Sequence, residues 1–316
     1  VHRRTRLRLL PVALVATAVV LAGCGSSNSS SPSSDATLGL DSVKISGGVG
    51  ADPTVAFSGQ VTDPTTTTKV LIQGDGPTIE KDDAVFIHTV IADGYTQKTV
   101  ASSYKDKRPQ VVTLTSQVSP IFLNALVGKK VGSRVVVYTT ADNVFGAQGN
   151  SSLGISTKDA VLIIFDLLKK PLDKPDGATK RAPAWAPKLE KTKGVISGLD
   201  FSGTPKPDGT LKAAVVRTGT GDVVKKGQTI AVRYLGQVYG GKKPFDQNYD
   251  GALLSPQIGV GGVVPGWDKT LVGKKVGSQV IIAIPPKDGY GAKGSPSAGI
   301  KGTDTLYFVV DILGAA

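Results

Sequence analysis

The sequence predicts an α+β protein made of two tandem copies of one domain, each an antiparallel β-sheet packed on one short helix. Three observations carry this. The octapeptide LVGKKVGS occurs twice, at Leu126–Ser133 and Leu271–Ser278, an offset of 145 residues (271 minus 126). At that offset VFGAQG (Val144–Gly149) falls on GYGAKG (Gly289–Gly294), and DAVLIIFDLL (Asp159–Leu168) on DTLYFVVDIL (Asp304–Leu313). No gap is needed from about residue 70 onward, so a unit of roughly 120 residues is duplicated. Each unit also reads mainly as strands, and each offers a single short helix, a combination that favours a sheet with one helix laid across it.

The elements follow in chain order. The opening VHRRTRLRLLPVALVATAVVLAGC places four arginines before an apolar run, Leu9–Ala22, too short to span a membrane comfortably and laid out as an export signal. It closes on Cys24, the single cysteine of the chain. Small residues before such a cysteine resemble the bacterial lipobox. That resemblance implies a lipoprotein signal peptide over 1–23, lipidation of Cys24, and an extracytoplasmic protein held at the cell membrane by its lipid anchor. A lone cysteine cannot form an intramolecular disulfide, so the exported fold must be stable without one. A Ser-rich tether over 24–40 then leads to the first domain, 41–170.

Between the units, the stretch 171–193 carries four prolines and an excess of Lys and Arg. Proline at this density is expected to block helix and sheet and to give a semi-rigid extended linker. The second domain is assigned to 194–316. There, Gln228–Tyr239 alternates in hydropathy, and Lys275–Pro285 and Thr305–Leu313 are rich in β-branched residues, so all three are expected strands. The helix starts at Pro265, carries Asp268 in its first turn, where the helix dipole favours an anion, and stops at Gly273.

Composition and motifs exclude several functions. The net charge is +12, but no aromatic-basic stripe accompanies it, so nucleic acid is not an expected partner. HExxH, CxxC and GxSxG are absent from the sequence, and QGDGP at Gln73–Pro77 lacks the Lys-Ser/Thr pair and helix of a phosphate loop. His88 has no companion cluster for metal or acid–base work and reads as a satisfied strand residue. No cofactor or metal is called for.

Taken in order, VRYLGQVYGGKKPFD, QIGVGGVVPGWDKTLVGKKVGSQVIIAIPPKDGYGAKG and TLYFVVDIL cover most of 211–313. Together they resemble the FKBP-type peptidyl-prolyl cis-trans isomerases. The resemblance implies two FKBP-like domains, each a curled antiparallel β-sheet packed on one short helix, with an aromatic pocket between sheet and helix. It implies a substrate-binding wall of Tyr234, Phe245, Val263, Trp267, Ile300 and Phe308. It assigns the carbonyl-directed donors to the Tyr290 hydroxyl and the Val264 backbone N–H, and an orienting role at the rim to Asp246. The chemistry suits those residue types. Prolyl isomerisation breaks no bond, and a dry apolar pocket favours the less polar, twisted amide. Fixed donors then stabilise the carbonyl that has lost resonance.

The sequence departs from the family pattern in places. Gly251 stands where an arginine is common, Leu254 and Pro256 replace two aromatics, Gly262 replaces an acidic residue, and Gly299 an isoleucine. In the first unit the change is greater: the offset turns Tyr234, Phe245, Asp246, Trp267, Tyr290 and Phe308 into Thr89, Val100, Ala101, Phe122, Phe145 and Ile163. That unit is expected to keep the fold, with a thinner pocket wall and lost or weakened activity. The resemblance thus implies an isomerase active in its C-terminal domain, acting on proline-containing exported polypeptides, with macrolide inhibitors as candidate ligands. The alternative is a non-catalytic peptide-binding or chaperone lipoprotein.

Overall fold

The computed structural model describes residues 38–316. The expected signal peptide, Cys24 and the tether up to residue 37 lie outside the described residues. The first domain begins with a hairpin of β1 (Val43–Ser46) and β2 (Thr54–Phe57). There follow β3 (Thr67–Ile72), β4 (Ala84–Asp93), β5 (Lys98–Ser102), β6 (Gln110–Thr113), α1 (Pro120–Leu126), β7 (Arg134–Thr140), the single turn α2 (Asp142–Phe145) and β8 (Ala160–Lys169). The main sheet is antiparallel, in the order β3-β7-β8-β4-β5, with β6 also paired to β4.

The second domain repeats this plan. Its elements are β9 (Ala178–Thr179), a hairpin of β10 (Lys188–Thr192) and β11 (Val195–Asp200), β12 (Lys212–Thr218), β13 (Ile230–Val238), β14 (Asp246–Gln247), α3 (Pro265–Leu271), β15 (Gln279–Ile284) and β16 (Leu306–Ala315). The order is β14-β13-β16-β15-β12-β9, again antiparallel, so the two sheets share one topology with β9 added at an edge. The repeated octapeptide is the end of the helix and the turn into the next strand. Gly273 and Gly277 take φ of +84° and +87°, and Gly128 and Gly132 take +81° and +87°, left-handed values that glycine adopts without steric cost.

The strands are less simply amphipathic than the alternation over Gln228–Tyr239 suggests, because both faces of each sheet are covered. One face of the second sheet packs Ile230, Val232, Ile282 and Phe308 against Trp267 and Leu271 of α3. The opposite face packs Leu235, Ile281, Tyr307 and Val309 against Ile196 and Leu199 of the β10–β11 hairpin. The first domain does the same, with Val90, Val136, Leu162 and Ile164 beneath Val43, Ile45, Val55 and Phe57. Each domain therefore has three layers: helix, sheet and hairpin.

The stretch 171–193 is not the free extended spacer that its prolines suggest. Ala178 and Thr179 pair with Thr218 and Arg217, and Lys188–Thr192 forms the first strand of the hairpin. The physical reason is placement. Pro171, Pro175, Pro183 and Pro187 all fall outside the paired residues, so none removes a ladder donor. The structural start of the second domain thus lies before residue 194. Where the chain leaves the first domain, Lys169 Nζ donates to the Ala315 carbonyl at 2.6 Å and Leu172 N–H to the Leu313 carbonyl at 2.8 Å.

Candidate functional site

The cleft between sheet and helix in the second domain encloses about 180 Å³ and is lined by Tyr234, Phe245, Asp246, Leu254, Val263, Val264, Trp267, Tyr290 and Phe308. Every residue expected at the site is here except Ile300. That residue is 3% exposed and belongs to the core beside the cleft, held by a two-way bridge to Ser295. It packs in the same cluster as Trp267 and Phe308 of the cleft. Leu254, noted in the sequence only as a missing aromatic, does line it.

Four rings form the floor. Trp267, presented by α3, stands edge-on to Tyr234 (5.3 Å between centroids, 83°) and to Phe308 (5.4 Å, 82°), and Phe245 meets Phe308 at 5.6 Å and 84°. Edge-to-face contacts at these spacings are favourable and hold each ring in one orientation. The arrangement depends on Gly236. A Cβ there would lie 2.6 Å from both Phe245 Cζ and Phe308 Cε1. The signal was present in the sequence, since the offset places Ile91 opposite Gly236 at the point where both phenylalanines disappear.

The polar groups sit at the rim. The Tyr234 hydroxyl donates to Asp246 Oδ2, and burial together with that carboxylate pushes the phenol pKa well up, so it stays protonated. Asp246 forms no ion pair among the described residues, which fits the glycine at 251. Tyr290 is 42% exposed, its hydroxyl makes no hydrogen bond among the described residues, and burial and Asp246 raise its pKa. Val264 caps α3 with extended torsions (φ −56°, ψ 138°). Its carbonyl accepts from Trp267 N–H at 2.9 Å, while its own N–H has no partner among the described residues. Two hydrogen-bond donors thus stand free beside an apolar floor. The Trp267 indole N–H is a third unpartnered donor, buried within the floor.

Asp268 has a role that its position in the first turn of the helix did not reveal. Its two carboxylate oxygens accept from Gly259 N–H and Gly261 N–H, each at 2.6 Å. The side chain clamps the glycine loop that delivers Val263 and Val264 to the cleft. The repeat gave no hint of this, because Leu123 occupies the position in the first unit. Asn248 acts similarly on the other wall: Oδ1 accepts from Tyr234 N–H at 2.7 Å, and Nδ2 donates to the Val232 and Ala252 carbonyls at 3.0 Å.

The first domain has a cleft at the matching place, larger at about 250 Å³ and almost wholly apolar. Ile87, Ile91, Phe122, Phe145, Ile163 and Phe165 are among its walls. Ile163 stands in its wall where the second domain has Phe308. Phe122 recovers an edge-to-face partner in Phe165 at 5.3 Å, but no tyrosine or carboxylate stands at the rim. His88 lies on the opposite face, bonded through Nδ1 to Ser103 Oγ at 2.7 Å and stacked on Tyr104 at 3.8 Å, a satisfied strand residue.

Both copies have relatives among known proteins. Over 116 residues the chain is 34% identical to an FK506-binding protein of Streptomyces anulatus, spanning 36% of this chain and 93% of that protein. It is 38% identical over 97 residues to FK506-binding protein 4 of Chaetomium thermophilum, spanning 31% of this chain but only 20% of that longer protein. Among solved structures, AtFKBP13 matches 34% of this chain and 93% of its own at 32% identity (TM-score 0.31). The three FKBP domains of wheat FKBP73 match 79% and 94% at 17% identity (TM-score 0.32). The profile of FKBP-type peptidyl-prolyl cis-trans isomerases matches twice, at residues 76–167 and 221–313, which together make up more than half of the sequence. The duplicated unit is therefore an FKBP domain in both copies, and the chain belongs to the FKBP-type peptidyl-prolyl cis-trans isomerase family.

Proposed function

We propose that the second domain is a working prolyl isomerase and that the first is a docking module without turnover. The observation that carries this is the pairing, in the second domain only, of an apolar ring floor with free donors at its rim. Rotation about a prolyl bond must overcome roughly 18–20 kcal/mol of amide resonance. A ten-thousandfold acceleration requires about 5.4 kcal/mol of transition-state stabilisation. The proline ring seats on Trp267 between Tyr234, Phe245 and Phe308, where low polarity favours the twisted amide over the planar one. The Tyr290 hydroxyl and the Val264 N–H donate to substrate carbonyls as the chain turns. Each is worth about 0.5–1.5 kcal/mol net, so the apolar floor and the fixing of substrate geometry supply the larger share. Asp246, held by Tyr234, keeps that ring in place as a positioning residue.

The test is a prolyl-peptide isomerisation assay on the chain and on Tyr290→Phe. Loss of this one donor is expected to lower kcat/KM by about tenfold, or ~1.4 kcal/mol, with unchanged thermal stability. An unchanged rate would remove Tyr290 from the mechanism, and a parent chain no faster than buffer would remove the enzyme reading. The wide apolar cleft of the first domain favours its own role: it holds apolar segments of a client while the second domain acts. Phe122→Ala is then expected to weaken binding of an unfolded client and leave the rate on short prolyl peptides unchanged.

The proposed site of action is the outer face of the cell membrane, with exported polypeptides as clients and the anchor on Cys24. Support comes from the arginine-led apolar run ending in a single cysteine. Cys24→Ser is expected to move the protein from the membrane fraction to the soluble one; retention in the membrane would exclude the lipid anchor.

A further inference from the structure

The back of the second sheet carries a cleft that its copy in the first domain fills. In the first domain the buried Arg134 guanidinium bonds Asp166 at 2.6 and 2.7 Å through Nε and Nη2. It also donates to the carbonyls of Gly47, Gly48 and Ala51 at 2.8–2.9 Å, in the loop Gly47–Pro53 of the β1–β2 hairpin. Gly50 N–H and the Tyr104 hydroxyl complete Asp166. That charge cluster is closed by the chain itself.

At the 145-residue offset Asp166 and Tyr104 are retained as Asp311 and Tyr249, but Arg134 becomes Gln279 and His88 becomes Arg233. The hairpin turn shrinks to Lys193 and Gly194. What remains is an open cleft of about 460 Å³ between the hairpin, Asp173–Pro175 and the sheet. Four cations line it, Lys174, Lys191, Arg217 and Arg233, against two acids, Asp173 and Asp311. Lys174 and Lys191 are exposed and make no side-chain hydrogen bond or ion pair among the described residues. Arg217 and Arg233 each commit one terminal nitrogen to backbone carbonyls. The Tyr249 hydroxyl is buried beside Asp311.

We propose that this cleft binds an oxyanion of the phosphate class, seated between Lys174, Lys191 and the two arginines. A cationic ligand would meet the same four positive charges, and an apolar one would leave those charges without a counter-ion. Guanidinium and ammonium groups converging on one cavity are the usual partners of phosphate oxygens. Asp311 is buried with its Oδ1 accepting from Gln279 Nε2 at 2.7 Å, and the four cations outnumber it and Asp173. The cleft is separate from the isomerase cleft, which lies on the other face of the sheet: neighbouring residues of β13 serve each, Arg233 here and Tyr234 there.

The anion can come free in solution or as a lipid headgroup, and the experiment has an arm for each. Inorganic phosphate is titrated into the chain while the amide resonances of Gly194 and Val195 are followed, and flotation is measured with phosphatidylglycerol and with phosphatidylcholine vesicles. The probe variant is Lys174→Gln/Lys191→Gln, a change at two exposed side chains. It is tested in parallel in the Cys24→Ser background, so that an anchor cannot contribute. Saturable shifts in the millimolar range, weakened about tenfold in the variant, establish the free anion. Flotation with phosphatidylglycerol alone, lost in the variant, establishes the headgroup. Absence of both, or either response equal in the parent and the variant, overturns the site. Isomerisation is expected to be the same in the variant, so failure here is distinct from failure of the enzyme reading.

Discussion

Replacing Asp311 by asparagine is expected to make the stability of the second domain rise relative to the parent as pH increases from about 5 to about 7.5. Burial pushes the Asp311 carboxyl from its ordinary 3.8 up to about 6, and the Gln279 amide, 2.7 Å away, offsets only part of that cost. The native state therefore holds the proton more tightly than the unfolded chain. This contribution to stability is fully present below the unfolded value and is lost as pH rises through about 6. The gap corresponds to roughly 3 kcal/mol in all. Between about pH 5 and about pH 7.5 the linkage relation gives a loss of ~1.3 kcal/mol. Asparagine keeps the shape and does not titrate, so the stability of Asp311→Asn relative to the parent should rise by ~1.3 kcal/mol across that interval. Urea unfolding followed by tryptophan fluorescence reads this directly. The chain has two tryptophans, and both Trp185 and Trp267 pack in cores of the second domain. A difference that stays constant from pH 5 to 7.5, or falls, would refute the argument that burial of Asp311 outweighs the Gln279 amide and the nearby Lys191 and Arg233.

The same substitution in the first copy should act oppositely: Asp166→Asn leaves the fully buried Arg134 without its counter-charge and is expected to cost about 3–5 kcal/mol, read as early loss of amide protection in β7 and β8. Gly236→Ala puts a methyl group 2.6 Å from two aromatic rings. The predicted outcome is about 1–3 kcal/mol of destabilisation from overpacking and a fall in isomerisation, seen in unfolding curves and rate assays on one sample. Phe145→Tyr in a Tyr290→Phe background restores the tyrosine to the first cleft alone. The rate is expected to stay low, and recovery to the parent value would show that the first domain lacks nothing but that hydroxyl.

How much of this the residues announce depends on the kind of signal. The helix was legible because Pro265 and Gly273 mark its ends chemically, and the ring floor because aromatic types survive in order along strands that can be aligned. The hairpins on the back of each sheet were not legible. VKIS and TVAF are short and only half-buried, and nothing local distinguishes them from loop. The pairing of 178–179 and 188–192 was hidden by prolines that turn out to sit between the paired residues. Asp268 and Gly236 act only through partners distant in the chain, so their roles become visible once the loop and the rings are placed.

The strand order has a consequence for how the chain acquires its structure. In each sheet the strand made last, β8 or β16, lies in the interior and pairs on both sides, β8 with β4 and β7, β16 with β13 and β15. Neither sheet can close from its earlier strands alone, because β4 and β7, or β13 and β15, touch only through the missing one. Each domain must wait for its own final strand, and during synthesis the first can be complete while the second still exposes two unpaired, apolar edges. Until that strand is in place, the second domain is in the state in which folding assistance is most useful.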